Sequence, residues 1–342
     1  MNSRKVQQLG KSTLALTLPA LWARENDVEK GDSLSIHSRG PGTLTLIADS
    51  ANPAERKVTI HAQELDKQAL ERAIIGQYVL GRQIITIHSE SCLTDDHISA
   101  IYAAERQLMG LGVIEETPTE ISIRCSVDSG DFTINNLIER LENTGSTMRN
   151  EAIKALLRGN PDLAQRAIRR ERQANKIFVL LLRLIFTSHQ NPVQVKALGI
   201  EKELELIGYR SIAKNLELAA DNAEDIATLV LSVSGDIRPL DQSVSRDLLE
   251  FSSLVDGLSS LAIDAIVARD YDLYLECRTQ FHAINNAEDS LLSELPELDP
   301  EELMRIRQAI ISLHQTAEAA IRNAEIAANL ILNQDSKYIT IH

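Results

Sequence analysis

The run Gly10-Lys11-Ser12-Thr13 has the residue types that close a phosphate-cradling loop. That loop also needs a glycine five residues before Gly10, so that backbone amides wrap the phosphates with no Cβ in the way. A long helix must open straight after it. Lys5 holds the first position, and Pro19 stands nine residues after Gly10. The chain spells the end of the motif without its context, and a nucleotide site is excluded there. Other chemistry is as sparse. His61, His88 and His97 fall on what read as unrelated elements, and a lone histidine beside a strand reads as structural or surface. Cys92, Cys125 and Cys277 are far apart, odd in number and without a Cys-x-x-Cys pair. That excludes a disulfide framework or zinc knuckle and suits a reducing cytosol. No nucleophile–base pair, redox motif or complete metal set stands at readable spacing, so no enzyme is expected.

Composition narrows the rest. Of 342 residues, 44% are hydrophobic but only 4% aromatic, which favours helices packed through Leu, Ile and Ala. The net charge of −14 argues against a surface coated with nucleic acid. The charge is uneven, though. Residues 1–50 carry net +1 and the remainder −15, so any DNA contact belongs at the N-terminus. No apolar signal segment is visible, and "IFVLLLRLIF" (177–186) is too short for a bilayer and contains Arg183. A cytoplasmic protein without membrane insertion is expected. Arginine outnumbers lysine 24 to 11, and with the surplus of acids this suits a salt-rich cytoplasm.

The elements that position these residues begin with "TLALTL" (13–18), where Leu14, Leu16 and Leu18 alternate with polar or small residues as in a half-buried strand. "RKVQQL" before it reads as its partner, with Leu9-Gly10-Lys11 in the turn. Pro19 opens a short helix, Lys30-Gly31-Asp32 turns the chain, and "SLSIHS" and "TLTLIA" flank "RGPG", a hairpin signal. A β-β-helix-β-β unit this small has too little interior to stand alone. The stretch "RKVQQLGKSTLALTLPALWARENDVEKGD" resembles the swapped-hairpin AbrB/SpoVT/MazE-type domain: a strand, a Gly-x-Ser turn, an apolar strand ending in Leu-Pro, a short helix, then Lys-Gly-Asp. The resemblance implies a homodimer of interleaved hairpins that binds DNA through Arg4, Lys5, Lys11 and Arg24. The same four cations also fit a solvated face on a domain that only dimerises.

Residues 55–128 read as strand (57–62), helix (66–81), strand (83–89), helix (94–110) and two strands, "GVIEET" and "EISIRCSV". Thr94 is a natural N-cap, and Gly81 and Gly110 are natural stops. The order predicts a small α/β sandwich with helices on one face. From Thr133 the pattern is helical and repeats. "NPDLAQRAIRRERQANKI" (160–177) matches "DYDLYLECRTQFHAINNA" (270–287) at an offset of 110, and "NAEDIATLVL" (222–231) matches "NAEIAANLIL" (323–332) at 101. "SHQNPVQVKALGI" (188–200) reads as the longer link of the first copy. Each copy reads as three helices, about 131–158, 161–187 and 201–233, then 239–268, 271–293 and 299–333, with Gly235 and Pro239 between. The fold class expected is therefore multidomain α+β, with domains at 1–49, 55–128, 131–235 and 236–334, the last two being tandem three-helix bundles.

Such a pair of bundles, with "LGIEKELELIGYRSIAKNLELAADNAEDIA" (198–227) closing the first, resembles the PhoU family. The whole order is similar to archaeal PhoU-like regulators with an AbrB-type N-terminal domain. The resemblance implies a regulator of phosphate uptake whose partner is a phosphate transporter ATPase or a sensor kinase. It also implies iron or zinc held by Glu/Asp-x-x-x-Asp pairs. Here Glu217 and Asp221 carry that spacing, Asp225 continues the row, and Glu171 stands on the facing helix with Asn175 four residues on. Such a row in an acidic protein also reads as a solvated face. In the second half Phe281, Asn285 and a Glu318/Arg322 pair replace the ligands, so no second cluster is expected. Two functions remain open: a dimeric DNA-binding transcription regulator, or a scaffold that dimerises through its head and docks on the ATPase or kinase.

Overall fold

A computed structural model of the chain describes residues 3–38, 42–48, 56–190, 192–232, 241–293, 295, 299–333 and 335–341. The expected turn over 39–41 and the Gly235–Pro239 junction lie outside the described residues. Two compact units are present, Met1–Arg56 and Lys57–His342.

Among its described residues the first unit contains two hairpins and a short helix. β1 (Gln7–Leu9) and β2 (Thr13–Ala15) pair antiparallel, Gln7 opposite Ala15 and Leu9 opposite Thr13. Gly10, at φ +77°, takes the left-handed conformation the connection requires. Gly10, Lys11 and Ser12 are thus a hairpin turn, and Thr13 opens β2. β2 is shorter than the alternation over 13–18 predicts. It ends at Ala15, where β1 has no further residue paired to it, and an isolated stretch cannot continue a ladder. Pro19, at φ −61°, leads into α1 (Ala20–Glu25). β3 (Leu34–Ser38) and β4 (Leu44–Ala48) form the second hairpin, Leu34 opposite Ala48. Among the described residues of this unit, Ala48 alone of the apolar side chains is buried.

The second unit opens with a four-stranded sheet. Its strands are β5 (Lys57–His61), β6 (Ile84–His88), β7 (Leu111–Glu116) and β8 (Glu120–Cys125), in the order β5-β6-β8-β7. β5 and β6 are parallel and are joined through α2 (Lys67–Val79); the other pairs are antiparallel. Asp66 caps α2 by accepting from the Ala69 N–H (2.8 Å), and Thr94 caps α3 (Asp95–Gln107). Ile85, Ile87, Ile121 and Ile123 bury one sheet face against Leu70, Ile74 and Ile101. Each such isoleucine contributes roughly 2–3 kcal/mol.

Among the described residues, six long helices follow. α4 (Ile134–Arg158) starts at Thr133, whose hydroxyl accepts from the Asn136 N–H (3.3 Å), and stops at Gly159 in the left-handed region. α5 (Pro161–Gln190) runs back. α6 (Pro192–Ala197) is a short helix where a plain link was expected. Pro192 suits the start of a helix, and Val195, Leu198 and Ile200 give the segment an apolar side that is buried in the first bundle. α7 (Glu205–Leu231) completes that bundle. α8 (Gln242–Ala268), α9 (Tyr271–Ser293) and α10 (Pro300–Ile331) form the second; Asp241 caps α8, and Asp299 with Pro300 starts α10. α8 is also long and apolar enough to cross a membrane, and half of its most apolar window is buried in the helical body.

The sequence repeat becomes a pseudo-two-fold axis. Asn215 donates to Asn323 (2.8 Å) and Asn222 donates to Thr316 (3.2 Å). Residue numbers 215 and 222 differ from 316 and 323 by the repeat offset of 101, so the axis exchanges the two bonds. Gly159 and Arg269, 110 apart, end α4 and α8 in the same left-handed conformation. α4 and α8 are antiparallel across the seam. Ala152, Ile153, Ala155, Leu156 and Leu157 share a core with Leu248 and Phe251, whereas Ile134, Leu137 and Leu141 share another with Ile263 and Ile266. At their crossing Arg149 is fully buried. Its Nε donates to Asp256 and its Nη2 to Glu142, both at 2.7 Å.

Candidate functional site

Arg4 and Lys5 precede β1, Lys11 lies in the β1–β2 turn, and Arg24 lies in the last turn of α1. All four are exposed, and none makes an ion pair among the described residues. The register of the hairpin puts Lys11 at the opposite end of β1 from Arg4 and Lys5, separated by roughly 10 Å of strand. Arg24 donates from Nε to the Ala20 carbonyl (3.3 Å), which leaves its terminal nitrogens without a protein partner. Among its described residues the same unit exposes seven large apolar side chains. Val6, Leu9, Leu14, Leu16, Leu21, Ile36 and Leu44 are between 56% and 71% exposed.

In the first bundle the structure gathers Glu171 of α5 with Glu217 and Asp221 of α7 on one groove. It adds Glu224, which the sequence reading missed. Seven residues bring a helix back to within about 20° of its starting angle, whereas eight overshoot by about 80°. Glu224 rather than Asp225 therefore continues the row from Glu217. Burial pushes the Asp221 carboxyl up to about 6; Glu217 reinforces the rise, and the Lys214 ammonium opposes it. Burial also raises Glu171, helped by Glu224 and Asp221 across the groove, and raises Glu224, helped by Asp225. Lys214 pairs with Glu217. Among the described residues no three His, Cys, Asp or Glu side chains converge on a point that could hold a metal ion.

The equivalent groove of the second bundle carries Phe281, with Arg322 paired to Glu318 (3.4 Å) as the sequence spacing implies. His314 Nδ1 lies 2.6 Å from Glu288. The sheet corrects one expectation. His61 and His88 are not on unrelated elements: parallel pairing sets them side by side on one face, rings edge to face at 6.1 Å. Glu120, opposite His88 on the next strand, has its carboxylate 3.6 Å from Nδ1. Only strand order could have told this, and strand order is not written in local alternation. His97 is buried in the capping box of α3.

The sheet layer is fastened to α5. Arg183, 5% exposed, donates from Nη1 to the Arg82 (3.0 Å) and Tyr78 carbonyls and lies 4.7 Å from the centre of the Tyr78 ring. A guanidinium at the carbonyl end of α2 meets the negative end of its dipole. Phe178 and Val179 join the sheet's core from the same helix.

Residues 138–230 match the PhoU domain, and residues 7–54 match the antidote-toxin recognition domain of MazE, a bacterial antitoxin. No curated protein matches the chain. Among solved structures, the phosphate transport system regulatory protein PhoU from Streptococcus pneumoniae is similar at 15% identity and a TM-score of 0.49, over 59% of this chain and 94% of that one. PhoU from Pseudomonas aeruginosa is similar at 19% identity and 0.46, over 59% and 96%. A PhoU-like phosphate regulatory protein from Shewanella oneidensis is similar at 14% and 0.43, over 58% and 96%. The chain carries PhoU-like helical bundles behind an AbrB/MazE-like N-terminal domain.

Proposed function

We propose that this protein regulates phosphate uptake as a homodimer whose first unit joins the two copies and binds DNA. The carrying observation is the first unit's thin interior: among its described residues seven large apolar side chains are exposed, and Ala48 alone of the apolar side chains is buried. Interleaving a second copy would cover Leu14 and Leu16, and each buried leucine contributes roughly 1.5–3 kcal/mol. The exposed Arg4, Lys5, Lys11 and Arg24 then supply phosphate contacts from both copies. Such contacts release counterions, so affinity falls with salt by a slope of about −0.9 per phosphate neutralised. The PhoU-like bundles supply the sensing or partner-binding half, with a transporter ATPase or sensor kinase as the partner.

Trp22, the single tryptophan, sits half-buried on α1 and reports on this unit. Leu14→Asp should weaken self-association at least about tenfold, given that burial energy, and red-shift Trp22 emission. Duplexes from the protein's own promoter and from phosphate-uptake promoters, titrated by fluorescence anisotropy at low salt, test the DNA half. Absence of binding there rejects it. Glu replacements at all four cations should abolish binding. If phosphate regulation in cells survives those replacements, the scaffold reading, with docking on the ATPase or kinase, is correct instead.

A further inference from the structure

α4 and α5 meet at a tip whose charge runs against the rest of the chain. Residues 150–176 carry seven Lys/Arg and three acids, net +4, in a chain of net −14. Two of the three acids are engaged: Glu151 pairs with Arg170 (2.9 Å), and Glu171 faces the groove with α7. Asp162, exposed in the first turn of α5, is the third. The six cations besides Arg170 are Lys154 and Arg158 on α4, and Arg166, Arg169, Arg172 and Lys176 on α5. Lys176 is partly buried, the other five are exposed, and none of the six makes an ion pair among the described residues. Helical geometry gathers them. Arg166, Arg169 and Lys176 fall within about 80° of arc on α5, with Arg172 at its border. Lys154 and Arg158 are four residues apart on one face of α4, and the Glu151–Arg170 pair ties that face to α5. Beyond α4, α8 bounds the patch with an exposed Glu250 and with Asp247 paired to Arg246 (2.9 Å).

The fold does not require this charge. The same stretch of the second copy, 260–286, carries two Lys/Arg and four acids, and the six positions hold Asp264, Ala268, Glu276, Thr279, His282 and Asn286. What the patch lacks selects its partner. Residues 150–176 include no aromatic side chain. Among the described residues between Ile114 and Phe186, no large apolar side chain is exposed. A lipid surface is gripped by apolar side chains sunk below the headgroups, and a protein partner by buried aromatic or aliphatic anchors. A single nucleic-acid strand needs rings for its bases to stack on. A DNA duplex needs only a polar, positive surface. Four of the six cations are arginines, whose planar fork matches two phosphate oxygens at once.

We infer that the α4–α5 tip is a second DNA-contacting surface, which grips the phosphate backbone of a duplex without reading its sequence. This rests on the reading that the protein binds DNA, and it names contacts separate from those of the first unit. Arg166 to Lys176 spans roughly 15 Å of helix, about four base-pair steps of a duplex. Phosphate contacts carry no sequence information, so the patch adds affinity equally to promoter and unrelated duplexes. Each contact releases counterions and steepens the dependence on salt.

The test uses the full chain and two duplexes, one from the protein's own promoter and one unrelated. Lysine acetylation at low salt, read by mass spectrometry, should show Lys154 and Lys176 protected by either duplex, while Lys11 reports separately on the first unit. Arg166→Gln, Arg169→Gln and Arg172→Gln together remove three phosphate contacts. By anisotropy, affinity should fall at least about tenfold for both duplexes, and the salt slope should flatten by about 2.7. Arg210→Gln, Arg278→Gln and Arg307→Gln together remove the same charge from exposed positions outside the patch and should change neither. Circular dichroism confirms that each variant is folded. Protection of Lys11 alone keeps the first unit's contacts and overturns this inference. Protection of Lys154 and Lys176 alone supports it and rejects the first unit's contacts, and protection of no lysine overturns both. A patch variant that binds as the parent does, or a control variant that loses as much, also overturns it. So does protection of Lys154 and Lys176 by anionic vesicles or polyglutamate but not by duplex, which would give the patch to a membrane or an acidic protein.

Discussion

The two bundles repeat one backbone plan and differ in what their second helices face. On α5, Phe178, Val179 and Arg183 take up the sheet layer. The positions 110 further on in α9 are Glu288, Asp289 and Ser293, and no layer packs there among the described residues. The comparison separates what the repeat must keep from what it may change. Core positions stay apolar, because both bundles must close. The Asn–Asn and Asn–Thr bonds between α7 and α10 stay polar, because each buried amide needs a partner. Positions facing outward follow their neighbours, so one copy acquires an apolar docking helix and the other an acidic one.

The sharpest difference lies at the seam. Arg149 and Glu142 of α4 correspond to Ser259 and Ser252 of α8, and Asp256 corresponds to Ser146. Arg149→Ala leaves Glu142 buried and charged with no counter-ion, and removal of one partner from a buried pair costs about 3–5 kcal/mol. Ser259→Ala on the other side should cost no more than about 1 kcal/mol. Urea denaturation of both variants decides it: equal losses would mean that the charges contribute nothing that the serines do not.

A smaller effect is expected where the sheet layer docks. Arg183→Met keeps an apolar stem but removes the donors to the Tyr78 and Arg82 carbonyls, for about 2–3 kcal/mol. Ser293→Met at the matched position of α9 should change stability by less than about 0.5 kcal/mol. The loss should be local. Amide exchange in α2 should quicken while exchange in α9 stays unchanged, and a uniform change along the chain would show that Arg183 serves only the bundle core.

These contrasts also mark what the sequence made legible. Strand and helix positions over 57–125 are local, set by alternation, N-caps and glycine stops, and they stand as read. The helical repeat was visible at Asp162-Leu163 and Asp272-Leu273 and became the pseudo-dyad. Pairings between distant elements were not visible. Arg183 reads as an interruption in an apolar run, because its acceptors lie about a hundred residues away. Arg149 gave no signal, because Asp256 belongs to the other copy of the repeat. The His61–His88 pair needed the order β5-β6, and Glu224 needed the angular phase of α7 rather than a spacing of four. The short α6 was hidden in a stretch too brief for helical periodicity to register.

The last contrast is between the two grooves. In the first, Glu171, Glu217, Asp221 and Glu224 face one another with Lys214 as the neighbouring cation; in the second, Arg322 stands where Asp221 does and pairs with Glu318. Asp221 has an ordinary carboxyl value of 3.8 and a folded value of about 6. Folding therefore favours its protonated form. The groove is at full stability below the ordinary value, and stability is lost as pH rises through about 6. The shift alone would correspond to a few kcal/mol, but Asp221 is only partly buried, and solvent screening reduces this to about 1 kcal/mol. Asp221→Asn should therefore raise stability by about that amount at pH 8 and leave it unchanged near pH 3. Glu318→Gln in the second groove removes an exposed pair and should alter stability by less than about 0.5 kcal/mol at either pH. Thermal unfolding of both variants across this pH range reads the difference directly. A destabilised Asp221→Asn at pH 8 would mean that the Asp221 carboxylate is held by a cation, and the first groove would then be a binding site rather than a strained row of acids.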